Sequence, residues 1–297
     1  MSDQAEQLRK VCRPGKTDQG AAKSFGKAGL SRVIAFASGK GGVGKTSLVV
    51  NLGLSLTRIG YRVVVIDADL GLANVDVMIN TIPRYNLADV INGSKKLREV
   101  IFKGPLDLKI IPGGSGLYDL ANLDQVKRKA LLDQFIDLET EGDFILVDTA
   151  AGISRNVINF VSAADDFILV TTPEPTALTD AYGMLKVVRN EGLREKSHVL
   201  VNSTRNYQEG QKVFNGLKRV VKQYMPAMEL DYLGDVRYDS AVKSAVHELC
   251  PFVISNPRSP ASIALNRIAW RIAADEETVM PEKKGIAGFI NRLKKLP

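Results

Sequence analysis

The sequence predicts a doubly wound α/β fold, a mostly parallel sheet flanked by helices, and three observations predict it. From Arg32 onward, short β-rich runs alternate with longer helical stretches, the order that builds right-handed βαβ crossovers. Most of these runs are continuously apolar rather than alternating, as expected of parallel strands buried on both faces. A glycine-rich loop directly follows the first run and opens the first long helix, which points to a ligand site at the carboxyl ends of the strands.

The elements follow in order. Asp3–Val11 reads as a short helix capped by Asp3, with Ala5 and Leu8 on one side. Cys12–Leu30 scatters Gly15, Gly20, Gly26 and Gly29 among lysines and can bury little apolar surface, so it reads as a flexible linker. Strands are expected at Val33–Ala37, Arg62–Ile66, Leu108–Ile111, Phe144–Val147, Phe167–Thr171 and Val199–Asn202, with a weaker one at Met228–Leu233. Helices are expected at Lys45–Ile59, Leu123–Leu138, Val157–Ala163, Thr179–Asn190, Gln211–Tyr224 and Ser259–Ala274. The polar stretch 275–284 holds Pro281 and reads as a second linker before a last helix, Gly285–Leu296. The plan is therefore an N-terminal helix (1–11), a linker (12–30), a single α/β domain (31–274), a linker (275–284) and a C-terminal helix (285–297).

Composition narrows the function classes. The 297 residues are 45% hydrophobic and 25% charged, which fits a soluble globular protein and excludes wholesale disorder or collagen-like repeats. Forty Lys and Arg against 33 Asp and Glu leave +7, compatible with phosphates, nucleic acid or anionic lipid without choosing among them. Cys12 and Cys250 form no CxxC pair, so neither a disulfide scaffold nor a cysteine-held cluster or zinc is expected. His198 and His247 have no matching partners and read as structural. No apolar run approaches the ~18 residues of a membrane span. Asp3, Glu6 and Arg9 stand where a signal peptide would need an apolar core, so the chain reads as cytosolic and reduced.

Gly39-Lys40-Gly41-Gly42-Val43-Gly44-Lys45-Thr46 matches GxxxxGK[ST] between a strand and a helix, the pattern of a P-loop. Its glycines let consecutive backbone N–H groups curl around phosphate oxygens, and the helix N-terminus adds partial positive charge. Lys45 is placed to reach the β- and γ-phosphates, and Thr46 to put its hydroxyl on Mg²⁺. Asp67 and Asp69 end one apolar run and Asp148 ends another, which puts carboxylates on the rim where phosphates sit. Phosphoryl transfer depends mostly on positioning and charge neutralisation. Lys45, Lys40 and Mg²⁺ are therefore assigned to the developing charge, Asp69 to the attacking water, and Asp67 and Asp148 to the metal. No second substrate motif is visible, so water is the expected acceptor.

The segments KGGVGKT, DADLGLANVD and VDTAAGI resemble the MinD/ParA family of deviant Walker A ATPases over 31–274. LADVING, PEPTALTDAY and YDSAV extend the resemblance to its FlhG (FleN) group of flagellar-number regulators. The resemblance implies ATP and Mg²⁺ as ligands, and an ATP-dependent homodimer in which Lys40 reaches the partner subunit's nucleotide. It further implies an ATP site that runs from Gly39 through Ser47, with Asn202 recognising adenine and Glu174 reaching the partner's nucleotide. Slow ATPase turnover stimulated by a partner or lipid is expected. Iron–sulfur reductases and cluster carriers on this fold need paired cysteines, which this chain lacks.

Both ends carry expectations. Asp3, Gln4, Ala5, Leu8 and Arg9 are similar to the DQAxxLR motif of the FlhG group, where it docks on the signal-recognition-type GTPase FlhF and stimulates its GTP hydrolysis. A short tethered helix cannot be stable alone but can fold on a partner's surface. At the other end, Ile286, Phe289, Ile290, Leu293 and Leu296 fall within an arc of about 120°, and Lys284, Asn291, Arg292 and Lys295 cover most of the rest. That pattern suits an anionic membrane surface, at ~1 kcal/mol per cation, or packing on the domain's own core. One such helix binds marginally, whereas two on a dimer gain avidity of about 10²-fold, so ATP-driven dimerisation would recruit the protein to the inner face of the cytoplasmic membrane, with the cell pole as one location. The resemblance also implies a flagellar switch-complex protein and a flagellar transcription activator as partners. A MinD-like division-site regulator, a ParA-like DNA-segregating ATPase and a nucleotide-gated scaffold are the competing readings; the basic excess lies largely in the tails, which argues against nucleic acid.

Overall fold

The computed structural model describes residues 30–69, 75–113, 125–278 and 285–295. Eight strands form one sheet: β1 (Arg32–Ser38), β2 (Val63–Ala68), β3 (Phe102–Lys103), β4 (Lys109–Ile111), β5 (Phe144–Ala151), β6 (Asp166–Thr171), β7 (Lys196–Thr204) and β8 (Glu229–Arg237). Their order is β3-β4-β2-β5-β1-β6-β7-β8. All pair in parallel except the two-residue edge strand β3, which is antiparallel to β4. All seven residues of β1 are buried, as are all six of β2, which explains their unbroken apolar runs.

The helices are α1 (Lys45–Arg58), α2 (Val75–Met78), α3 (Leu87–Ile91), α4 (Leu97–Val100), α5 (Gln125–Phe135), α6 (Arg155–Ala163), α7 (Pro175–Asn190), α8 (Tyr207–Tyr224), α9 (Ser240–His247), α10 (Phe252–Ser255), α11 (Pro260–Thr278) and α12 (Gly285–Lys295). They cover both faces of the sheet and make two cores. One core joins α5 to α8 and α12 to Val33, Ala35, Ile145 and Val147; the other joins α1, α10 and α11 to Ile34, Phe36, Val65 and Leu146. The predicted doubly wound architecture is observed. No described helix is long and apolar enough to cross a membrane.

The differences from expectation have local causes. α7 begins at Pro175 rather than Thr179, with the proline pre-setting the first turn. α8 begins at Tyr207 rather than Gln211, because the Asn206 side chain accepts a hydrogen bond from Glu209 N at 2.9 Å. α11 runs to Thr278, four residues into the expected linker. α3 was not anticipated, although Asn86 and Asp89 close a reciprocal cap around it. The N-terminal helix, its linker up to residue 29 and Leu296 lie outside the described residues.

The C-terminal helix differs most in placement. The face expected to meet lipid is buried on the protein itself: Ile286 is 0% exposed, Phe289 1%, Ile290 0% and Leu293 8%. Phe289 stacks on Phe160 of α6 with ring centroids 6.4 Å apart. The apolar stripe identified in the sequence is there, but in this conformation the core takes it and not a membrane.

Candidate nucleotide site

The P-loop leaves β1 after Ser38 and enters α1 at Lys45, and its glycines serve different needs. Gly42 (φ 77°) and Gly44 (φ 84°) hold left-handed backbone that favours glycine. A methyl group at Gly44 would also lie 2.5 Å from Asn202 Nδ2. Gly39 has a steric reason: a Cβ there would collide with the Asp180 carbonyl of α7. Gly39→Ala is therefore expected to push the loop off α7 and weaken ATP binding by about tenfold, the equivalent of roughly 1.4 kcal/mol and within the range of an overpacked contact. Titration with a fluorescent ATP analogue would check this, and unchanged affinity would show that the loop tolerates the shift.

Parallel register brings the acidic rim together. Asp67 of β2 lies directly beside Asp148 of β5. Lys45 reaches across from the helix start, with Nζ 2.5 Å from Asp148 Oδ1 and a second bond to the Thr149 carbonyl. The pair is enclosed, at 6% and 0% side-chain exposure. Burial pushes the Asp148 carboxyl up, Lys45 pulls it back and Asp69 pushes it further up. Asp67 is also buried, and its oxygens accept hydrogen bonds from Asp69 N (3.1 Å) and Val75 N (3.3 Å). It thus shapes the backbone after β2, and any metal must share oxygens that backbone amides already use.

The donor set fits a nucleotide and its metal. Among the described residues, Ser47 Oγ, Asp148 Oδ2 and Thr172 Oγ1 are buried without a hydrogen-bond partner, and such atoms are seldom left unmatched. Ser47 and Asp148 flank the loop. No group of three or more His, Cys, Asp or Glu placed to hold a metal occurs among the described residues. A divalent ion here would rely on one or two carboxylates, the Thr46 hydroxyl, water and phosphate, which is how Mg²⁺ is commonly held.

Lys40 sits 2.8 Å from Glu174 Oε2 and 3.0 Å from Thr176 Oγ1, at the start of α7. Both residues expected to cross to a second subunit therefore meet within one chain. Thr176 was not anticipated; only its place in the PEPTALTDAY run hinted at it. Asn202, expected at adenine, donates to the Val43 carbonyl at 2.7 Å. The structure thus gathers Gly39–Ser47, Asp67, Asp69, Asp148, Glu174 and Asn202 around one rim. Ile286, Phe289, Ile290 and Leu293 lie elsewhere, with α12 packed toward the opposite end of β1, and residues 3–9 fall outside the described residues. Cys250 is buried and His198 sits between Asp166 and Asp231, away from this rim.

Comparison with known proteins adds independent evidence. A family profile described as an AAA domain matches residues 31–200. The antiactivator FleN of Pseudomonas aeruginosa is 40% identical over 250 residues, covering 84% of this chain and 89% of that protein. The flagellum site-determining protein YlxH of Helicobacter pylori is 36% identical over 276 residues, covering 91% and 92%. Among solved structures, the septum site-determining protein MinD of Pyrococcus horikoshii, complexed with Mg-ADP, superposes with a TM-score of 0.66 at 26% identity, covering 82% of this chain and 96% of that one.

Proposed function

The chain belongs to the MinD/ParA family of P-loop ATPases, in its FlhG/FleN branch, and from that premise we propose that it regulates flagellar number and placement by an ATP-driven cycle of dimerisation and membrane attachment. The observation that carries the ATPase reading is the buried Lys45–Asp148 pair beside the unpartnered Ser47 Oγ and Asp148 Oδ2. Lys45 and Ser47, at the start of α1, are the groups that would meet phosphate, and Asp148, on β5, the one that would meet the metal.

The chemistry follows from groups that exchange partners. Lys45 gives up Asp148 to meet the β- and γ-phosphates of ATP. Asp148 is then left beside the Thr46 hydroxyl, and those two, with Asp67 through water, would hold Mg²⁺, which when bound neutralises charge on the phosphates. Lys40 leaves Glu174 and Thr176 and reaches the nucleotide of the partner subunit, while Glu174 becomes free to turn toward that nucleotide as well. Its pair is partly exposed, at 38% and 64%, so it holds by only ~0–1 kcal/mol and yields readily. Asn202 exchanges the Val43 carbonyl for adenine. Asp69 orients water for in-line attack on the γ-phosphorus, giving ADP and phosphate. Turnover is slow until a partner or lipid completes the site.

Membrane attachment needs α12 to leave its bed. Its docked face is the same apolar stripe that a lipid surface would take, so core and membrane compete for one helix. Dimerisation favours the membrane by presenting two helices at once. The N-terminal helix (1–11), on its linker, would dock on an FlhF-like GTPase through Asp3, Gln4, Ala5, Leu8 and Arg9, and a flagellar switch-complex protein and a flagellar transcription activator complete the proposed partners. The test is GTP hydrolysis by the FlhF-like protein, which should rise with the wild-type chain and not with Gln4→Ala. Stimulation that is absent with both, or equal with both, removes the GTPase assignment and leaves the ATPase untouched.

A further inference from the structure

The residues at which the N-terminal arm joins the domain and the two ends of α12 are held by the same pair of carboxylates. Glu139, in the turn Ile136–Thr140, accepts a hydrogen bond from Ser31 N through Oε1 and from Ile286 N through Oε2, the latter at 2.9 Å. Asp165 accepts from Val33 N at 3.0 Å through Oδ2 and from Arg292 Nη2 at 2.9 Å through Oδ1. Each carboxylate thus bridges one backbone amide of the strand root to one end of the helix. The backbones also come close here: a Cβ added at Gly285 would lie 3.1 Å from Leu30 Cβ.

We infer that Glu139 and Asp165 couple the two termini, so that release of α12 loosens residues 30–33 and with them the anchorage of the N-terminal arm. The inference rests on α12 being a detachable membrane helix, as proposed above, and extends it to the arm. The physical cause is the sharing of acceptors. A carboxylate fixed by donors on both oxygens has one orientation, and losing one donor frees it to turn away from the other. For Asp165 a second effect works the same way. Burial pushes its carboxyl up while the Val33 amide and Arg292 pull it back, so without Arg292 the neutral, weaker acceptor gains ground. Arg292 also donates to the Ala163 carbonyl at 2.6 Å, which fixes its guanidinium beside Asp165. A partner that takes α12 would thereby loosen the root of the segment carrying residues 3–9, and attachment at one end of the chain would prepare the other for its own partner.

The experiment is amide hydrogen exchange on the full chain, following residues 30–34 with residues 144–148 of β5 as an internal reference. Vesicles of phosphatidylglycerol with ATP should speed exchange at 30–34 about tenfold, as expected for loss of roughly one charge-assisted hydrogen bond, while β5 stays protected. Glu139→Ala should show fast exchange at 30–34 without vesicles and should sediment at several-fold lower lipid. Vesicle capture of the wild type with no change at 30–34 overturns the coupling and leaves the membrane reading standing. No capture of any form overturns the membrane reading, and Phe289→Asp, which expels the helix without lipid, then decides the coupling through the same residues. If that substitution also opens β5, Arg292→Ala replaces it, and unchanged exchange at 30–34 in that milder variant overturns the coupling.

Discussion

Asp69→Ala is expected to lower ATP turnover by 10²-fold or more while ATP binding and ATP-dependent dimerisation persist. Asp69 follows the carboxyl end of β2, half-buried; burial is what chiefly raises the Asp148 carboxyl, and the Asp69 charge adds to it in the same direction. A carboxylate at this rim can hold a water against the phosphate, and positioned acid–base groups contribute about 10²–10⁴-fold. Removing it leaves the phosphate-binding groups intact, so the variant should accumulate as an ATP-loaded dimer that stays on anionic vesicles instead of cycling off. Phosphate release and vesicle sedimentation check the two halves separately. Turnover within twofold of wild type would remove Asp69 from the mechanism, and an unchanged response of vesicle binding to ATP would break the proposed link between hydrolysis and release.

The second large effect concerns stability as well as binding. Lys45→Ala should abolish measurable ATP binding and destabilise the fold by about 3–5 kcal/mol, the usual consequence of leaving one member of a buried pair alone. Asp148 is fully enclosed and bonded to Lys45 at 2.5 Å. Lys45→Ala combined with Asp148→Asn should recover most of the stability and none of the binding. Urea unfolding of the four proteins closes the cycle, and additive losses would show that the pair is not coupled. The deficit should also depend on pH. Burial raises the folded-state pKa of Asp148 above the ~3.9 of an unfolded aspartate. Its neutral form therefore favours the fold at low pH, and that contribution is lost as pH rises through the raised value. Without Lys45 to offset the ionised form, the penalty should be smallest in acid and grow toward neutrality.

The sheet and the phosphate loop were legible in the sequence because each rests on local signals. Continuous apolar runs such as Phe144–Val147 admit few readings once a helix follows, and Gly42 and Gly44 are required by their own backbone angles. Gly39 was legible only as a letter in a motif, since its reason is a helix 141 positions downstream that packs against it. The bonds from Lys40 to Glu174 and Thr176 are likewise long-range, and nothing in the spacing announces them. The four-residue helices α2, α4 and α10 and the two-residue strand β3 fell below the length at which periodicity speaks. The C-terminal helix shows a different limit. Amphipathicity reports that one face avoids water; it cannot tell whether lipid or protein provides the shelter, and Phe160 had to be seen beneath Phe289 to decide for this conformation.

Lys45, Lys40 and Asn202 each hold a surrogate within their own subunit: a carboxylate, a second carboxylate with a hydroxyl, and a main-chain oxygen. An incoming ligand must outbid all three, so every contact it makes counts only by the margin over the bond it displaces. In the proposed cycle such a pocket would release spent nucleotide as these internal partners return. Its period would then be set by whatever steadies the proposed pairing of two chains.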